Sequence, residues 1–288
     1  MRKFNYHEPK SMGDVIDLLD SYGAKAMVIA GGTDLVVKMK LGNCEPEHIV
    51  SLRSVPGMNE IKDNGGELRI GAMVRHREIG RSELIRERFS LLADAADKLG
   101  SVQVRNLATI GGNICNAAPC ADTAGPLVAL DATLLVEGPN GERSISIKDF
   151  FLGPGKTALA GNEVLKEIIV PELPAGACSH YIKYTRRKAM DLPLLGLAMV
   201  LVPDASGKVC KEARVGLTLC APVPFRTTET EKYLAGKTFS EAVWKEAGDL
   251  AVTESNPRTS FRTTAEYRKK IICALLPRAA NEALRRLN

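Results

Sequence analysis

The residues with the most chemistry to offer lie in Thr109-Ile110-Gly111-Gly112-Asn113-Ile114-Cys115-Asn116-Ala117-Ala118-Pro119-Cys120-Ala121-Asp122. Adjacent glycines carry no Cβ, so a ligand or another backbone segment can lie directly against the chain there. Thr109, Asn113, Asn116 and Asp122 add hydroxyl, amide and carboxylate groups that suit a polar partner. The same composition also describes an ordinary tight turn. A second stretch upstream weighs against the plain turn. The apolar residues 25–30, a strand candidate, run straight into Gly31-Gly32-Thr33-Asp34, and residues 35–40 follow as a short helix candidate. A glycine turn between strand and helix leaves amide N–H groups free to point at an anion such as phosphate.

Neither turn is a P-loop, because G-x-x-x-x-G-K-[ST] is missing, and neither carries the G-x-G-x-x-G of nicotinamide-binding folds. The two pairs, Gly31-Gly32 and Gly111-Gly112, each have Thr and Asp nearby and sit in successive αβ segments. They predict one elongated dinucleotide held from two sides. The first turn would cradle its pyrophosphate and the second its sugar hydroxyls, with Asp122 accepting a hydroxyl hydrogen bond.

Other chemistries fit poorly. Cys115 and Cys120 have the C-x4-C spacing that begins a plant-type [2Fe–2S] run, but the next ligand position is Thr123. The four histidines, His7, His48, His76 and His180, show no paired ligand spacing, so no zinc site is expected. No G-x-S-x-G elbow is present. The net charge of +5 is spread along the chain without a long like-charge run, and aromatic residues make up 5%. A nucleic-acid face, which needs clustered Lys and Arg with stacking aromatics, is therefore not expected. Residues 1–9 have basic groups but no apolar stretch behind them, and no apolar run approaches the ~20 residues that span a bilayer. Seven scattered cysteines, an odd number, fit reduced thiols and a cytoplasmic setting.

The elements that must position these groups follow from pattern. Residues 3–7 read as a strand, and Ser11 opens a helix whose apolar face is Met12, Val15, Ile16, Leu19 and Tyr22, closed by Gly23. Strands are expected at 48–52 and 67–72, and helices at 75–86, 89–99 and 126–130. Residues 133–136 and 143–147 flank Pro139-Asn140-Gly141, a hairpin signal. A strand at 164–170 ends at Pro171. Three more strands, 180–185, 196–202 and 213–219, precede helices at 240–252 and 264–287, the last expected to kink or divide at Pro277. The fold class is α+β. It comprises two αβ segments, 1–56 and 57–176, and a three-stranded sheet with helices over 177–288.

Ala30-Gly31-Gly32-Thr33-Asp34-Leu35, then Ala108-Thr109-Ile110-Gly111-Gly112-Asn113 and Ala118-Pro119-x-x-Asp122, resemble the FAD-binding subunits of the molybdenum hydroxylases. This is the xanthine dehydrogenase and aerobic carbon monoxide dehydrogenase family, and the resemblance covers essentially the whole chain. It implies two FAD-binding subdomains of the vanillyl-alcohol-oxidase-like type and a C-terminal module like that of carbon monoxide dehydrogenase flavoproteins. It also implies that Ile29, Ala30, Gly31, Gly32, Thr33, Asp34 and Leu35 wrap the FAD pyrophosphate. Thr109, Gly112, Asn113, Asn116 and Asp122 would hold phosphate, ribityl and isoalloxazine edge. Ile168 or Ile169 would sit near adenine or ring, and Lys183 beside the flavin. The implied activity is electron transfer, from [2Fe–2S] clusters of a small partner subunit to FAD and on to NAD or another acceptor. The molybdenum cofactor would lie on a large subunit. A xanthine dehydrogenase type is expected. The alternatives are a carbon monoxide dehydrogenase medium subunit and a stand-alone flavin oxidoreductase of related fold.

Overall fold

In the computed structural model, which describes residues 1–287, the chain builds its first layer from β1 (Asn5–His7), α1 (Met12–Tyr22), β2 (Ala26–Ile29), α2 (Leu35–Lys40) and β3 (His48–Ser51). The strands form a parallel sheet in the order β1-β3-β2. Ser11 caps α1 by accepting a hydrogen bond from the Asp14 amide, and Val15, Ile16 and Leu19 bury the face that the apolar spacing predicts.

The second layer runs from β4 (Ile61–Asp63) and β5 (Glu67–Gly71) into six helices: α3 (His76–Arg81), α4 (Glu83–Arg88), α5 (Ser90–Lys98), α6 (Val102–Arg105), α7 (Ile110–Cys115) and α8 (Ala124–Ala129). The expected helix over 75–86 is divided, because the Ser82 side chain accepts from the Ile85 amide and starts α4 anew. The layer continues with β6 (Thr133–Gly138), β7 (Gly141–Ser146), α9 (Ile147–Phe150), β8 (Phe151–Gly153), β9 (Lys156–Thr157) and β10 (Val164–Pro171). Five of these strands form an antiparallel sheet, β4-β5-β10-β6-β7, in which the β6–β7 hairpin closes with Gly138 opposite Gly141.

The last layer is β11 (Cys178–Tyr184), β12 (Leu195–Pro203), β13 (Cys210–Thr218), β14 (Phe225–Arg226), α10 (Thr228–Leu234), α11 (Glu241–Thr253) and α12 (Ala265–Leu284). Its sheet has four strands rather than the three expected. The extra edge strand β14 and the helix α10 are too short to leave a periodic signature. Pro277 does not divide α12. Ile271, Ile272, Leu275 and Leu276 before it and Ala279, Ala280 and Ala283 after it are buried in one core, which holds both halves in line.

Two cores result, and β12 separates them. Ala198 and Val200 belong to the core of the first two layers, whereas Leu197, Met199 and Leu201 belong to the core under α11 and α12. Burial on both faces explains why this strand is continuously apolar instead of alternating. The junction between layers is tight at Gly216, where a Cβ would lie 2.5 Å from the Gly125 carbonyl oxygen of α8. That contact docks α8 on β13, and Asp122, two residues before the helix, lies beside β11, where it meets Tyr181 and Lys183. Among the described residues no helix is long and apolar enough to cross a membrane.

Candidate functional site

The two glycine stretches meet. A Cβ on Gly31 would lie 2.0 Å from the Leu107 carbonyl oxygen and 2.9 Å from the Ala108 Cα, so the first turn touches the backbone that leads into the second. Gly111 is equally confined: a Cβ there would lie 2.6 Å from the Ala72 carbonyl oxygen, to which the Gly111 amide donates at 2.9 Å. Gly32 adopts φ +74°, a left-handed conformation suited to glycine. Gly112 is more open, its nearest neighbours being Thr109 Oγ1 at 3.0 Å and Ala30 Cβ at 3.9 Å. Of the four, Gly31 and Gly111 are thus required by protein packing, the second of the two uses that a missing Cβ allows.

Beside this contact lies a cavity of about 500 Å³. Residues 30–35 line it, together with Thr109, Gly112, Asn113, Asn116, Asp122 and Lys183. Thr109 starts α7, and its Oγ1 accepts from the Gly112 amide at 3.1 Å, which leaves its own O–H free to donate. Asn113 Oδ1 accepts from the Thr123 hydroxyl at 2.7 Å, so its amide N–H groups are the part available to a ligand. Asn116 Oδ1 accepts from Lys38 Nζ at 2.6 Å, across the gap between α2 and the end of α7.

The charged corner is assembled from three elements, the end of α5, the α7–α8 loop and β11. Asp122 Oδ2 receives Lys183 Nζ at 2.9 Å, with each side chain only 6% exposed. The Tyr181 hydroxyl donates to Asp122 Oδ1 at 3.3 Å. Lys183 Nζ donates further to the Lys98 carbonyl at 2.9 Å, and Lys98 Nζ returns to the Tyr181 carbonyl at 2.8 Å, tying the end of α5 to β11. Burial pushes the Asp122 carboxyl up to about 6, against the pull of the Lys183 charge and its hydrogen bond. Burial, followed by the Asp122 charge, raises Tyr181, and burial lowers Lys98.

Three residues singled out in the sequence lie elsewhere. Ile29 does not line the cavity; its side chain packs beneath the turn, 3.2 Å from where a Gly32 Cβ would stand. Ile168 is fully buried, paired with Ile70 and Leu134, and Ile169 pairs with Arg69 and Thr133; neither reaches the cavity. Val164 and Leu165, at the start of the same strand, line the cavity instead, and a register shift between Leu165 and Glu167 separates them from the pairing of Ile168 and Ile169. Lys38, Leu99, Gly100, Met190 and Leu192 also line the cavity without any motif that marks them. Cys115 and Cys120 are cavity residues too; burial pushes Cys115 up to about 12 and raises Cys120, which keeps both as thiols.

Comparison with known proteins gives a consistent result. The family of the FAD binding domain in molybdopterin dehydrogenase matches residues 2–173, and that of the CO dehydrogenase flavoprotein C-terminal domain matches residues 180–283. The carbon monoxide dehydrogenase medium chain of Hydrogenophaga pseudoflava is 35% identical, over 98% of this chain and 97% of its own length. The putative xanthine dehydrogenase FAD-binding subunit of Escherichia coli is 30% identical, over 97% and 96%. The solved structure of the H. pseudoflava carbon monoxide dehydrogenase lacking the Mo-pyranopterin moiety aligns with a TM-score of 0.94 at 35% identity, covering 99% of this chain and 98% of that one.

Proposed function

Because the chain belongs to the FAD-binding medium subunits of the molybdenum hydroxylase family, we propose that it is the electron-transfer subunit of such a complex. It takes electrons from [2Fe–2S] clusters of a small partner subunit and delivers them to NAD or another acceptor, while a large subunit carries the molybdenum cofactor. The observation that carries this reading is one cavity framed both by two abutting glycine turns and by a buried Asp–Lys pair.

The residues present suit FAD. A cavity of this size is in the range of cofactor sites. Exposed backbone at 30–35 offers N–H groups to a pyrophosphate without a side chain in the way, and Gly112, whose own N–H is held by Thr109, leaves room beside it. Thr109, Asn113 and Asp122 offer donors and an acceptor to hydroxyls and to a polar ring edge. Leu99, Leu165 and Leu192 supply apolar wall that excludes water. When bound, FAD supplies a redox centre that takes up single electrons and stores two. Lys183 stands by as a fixed cation against the negative charge that reduction gathers, and Asp122 with the Lys98 carbonyl holds that cation in place. In this reading residues 1–56 and 57–176 form the two sides of the cradle, and 177–288 contributes Lys183.

Both the xanthine dehydrogenase and the carbon monoxide dehydrogenase types agree with these residues, since they face the flavin and not the reducing substrate. The purified full chain is expected to show flavin absorption in the visible, or to take up FAD on titration, and to form a stable complex with the small and large subunits. A chain that neither contains nor takes up FAD would sink the proposal.

A further inference from the structure

Six charged side chains line the cavity: Asp34, Lys38, Asp122, Glu163, Lys183 and Asp191. Most are already neutralised. Asp122 pairs with Lys183 at 2.9 Å, Glu163 with Arg143 at 2.6 Å, and Asp191 with Arg187 at 3.3 Å. Asp34, just before α2, and Lys38, one turn into it, form no ion pair with each other, and among the described residues Lys38 has no carboxylate partner. Its ammonium rests instead on a neutral acceptor, Asn116 Oδ1, at 2.6 Å. Lys38 is therefore the one unpaired cation in the cavity wall, and it bridges the first glycine segment to the second.

We propose that Lys38 is the counter-charge for the pyrophosphate of the bound dinucleotide, exchanging its bond to Asn116 for one to a phosphate oxygen. This rests on the FAD reading above. A pyrophosphate brings negative charge into a cavity whose other cation, Lys183, is committed to Asp122, and a charge-assisted N–H···O bond is stronger than the lysine–amide bond it replaces. The exchange also frees the Asn116 carbonyl for a sugar hydroxyl. The long lysine side chain suits this, because its head is exposed enough to swing between partners.

FAD titration of the apo full chain, followed by quenching of flavin fluorescence at several salt concentrations, tests the assignment. Lys38→Met and Lys38→Gln are expected to weaken FAD binding about tenfold or more at low salt, in line with the loss of a hydrogen bond to a charged group. The gap to wild type should narrow as salt rises, and Lys38→Arg should restore affinity to within about threefold. Lys38→Gln keeps a donor for Asn116 but no charge, so wild-type affinity in Lys38→Gln would overturn the proposal and leave only a structural tie. A loss in Lys38→Met that ignores salt and that Lys38→Arg does not rescue would overturn it as well. Wild type that takes up no FAD overturns both this and the underlying reading, and shows itself before any variant is made.

Discussion

Where Gly31 meets Leu107 and Ala108 the cavity wall is bare backbone; where Asp122 meets Lys183 it is a buried ion pair. The two regions present polar groups to the same space at different cost. Backbone amides at a glycine turn are fixed by the chain path and need no counter-charge, so their demand is steric: nothing larger than hydrogen at the contact. Charges removed from water must be matched, so the demand at the corner is electrostatic, and it is met by residues from α5, the α7–α8 loop and β11 together. The first region should fail when volume is added and the second when a partner is removed.

The largest effect is expected at the corner. Asp122→Ala leaves the Lys183 ammonium buried with only the Lys98 carbonyl, and breaking a buried pair in this way costs about 3–5 kcal/mol. Denaturant unfolding measures it, and FAD content should fall in parallel. A loss below about 1 kcal/mol, the range of surface pairs, would show that the corner behaves as if solvated.

Next comes the steric side. Gly31→Ala places a methyl 2.0 Å from a carbonyl oxygen, and relieving that overlap should cost about 1–3 kcal/mol of stability. Gly112→Val should behave differently, lowering FAD affinity while folded stability moves by less than about 1 kcal/mol, because its open side faces the cavity. Equal stability losses in the two variants would erase the distinction between a packing glycine and a cofactor-facing one.

The pH dependence of the corner tests the same pair without adding volume. Burial raises Asp122 in the folded state from 3.8 to about 6, so the folded protein binds this proton more readily than the unfolded chain. The linked stability is fully present below the lower value and is lost as pH rises through the upper one. Relative to Asp122→Asn, the apo wild type should therefore gain stability as pH falls from about 7 to about 4, read from unfolding midpoints across that window. A gain in the opposite direction would mean that Lys183 outweighs burial and holds the carboxylate ionised.

Much of the architecture was legible because it is written in local periods. The α1 face, the two β2–α2 and α7 glycine turns and the long strands β10, β12 and β13 follow from spacing within a few residues. Ser82 shows the limit of that reading, since a serine inside an apolar pattern is either a surface residue or a cap, and only the Ile85 amide beneath it decides. The site residues divide in the same way. Those within the two glycine motifs line the cavity, and Lys38, Leu99, Val164 and Leu165 join them through the packing of separate elements and carry no mark of it. Ile168 and Ile169, placed near the ligand by the family resemblance, pair within the sheet with Ile70 and Leu134 and with Arg69 and Thr133, and neither lines the cavity.

The sequence by itself determined that the chain is α+β, that two glycine turns and a trailing aspartate form a polar, ligand-suited pair, and that these motifs resemble those of FAD-binding subunits. These depend on residue type and short spacing, which the linear chain holds directly. The tertiary structure alone decided that Gly31 and Gly111 answer to protein backbone, that Lys183 is paired with Asp122 and that Lys38 is not paired with any acid. Each of those depends on contacts between residues about forty to eighty positions apart, or on layers docked through Gly125 and Gly216, and no local pattern encodes which partner arrives.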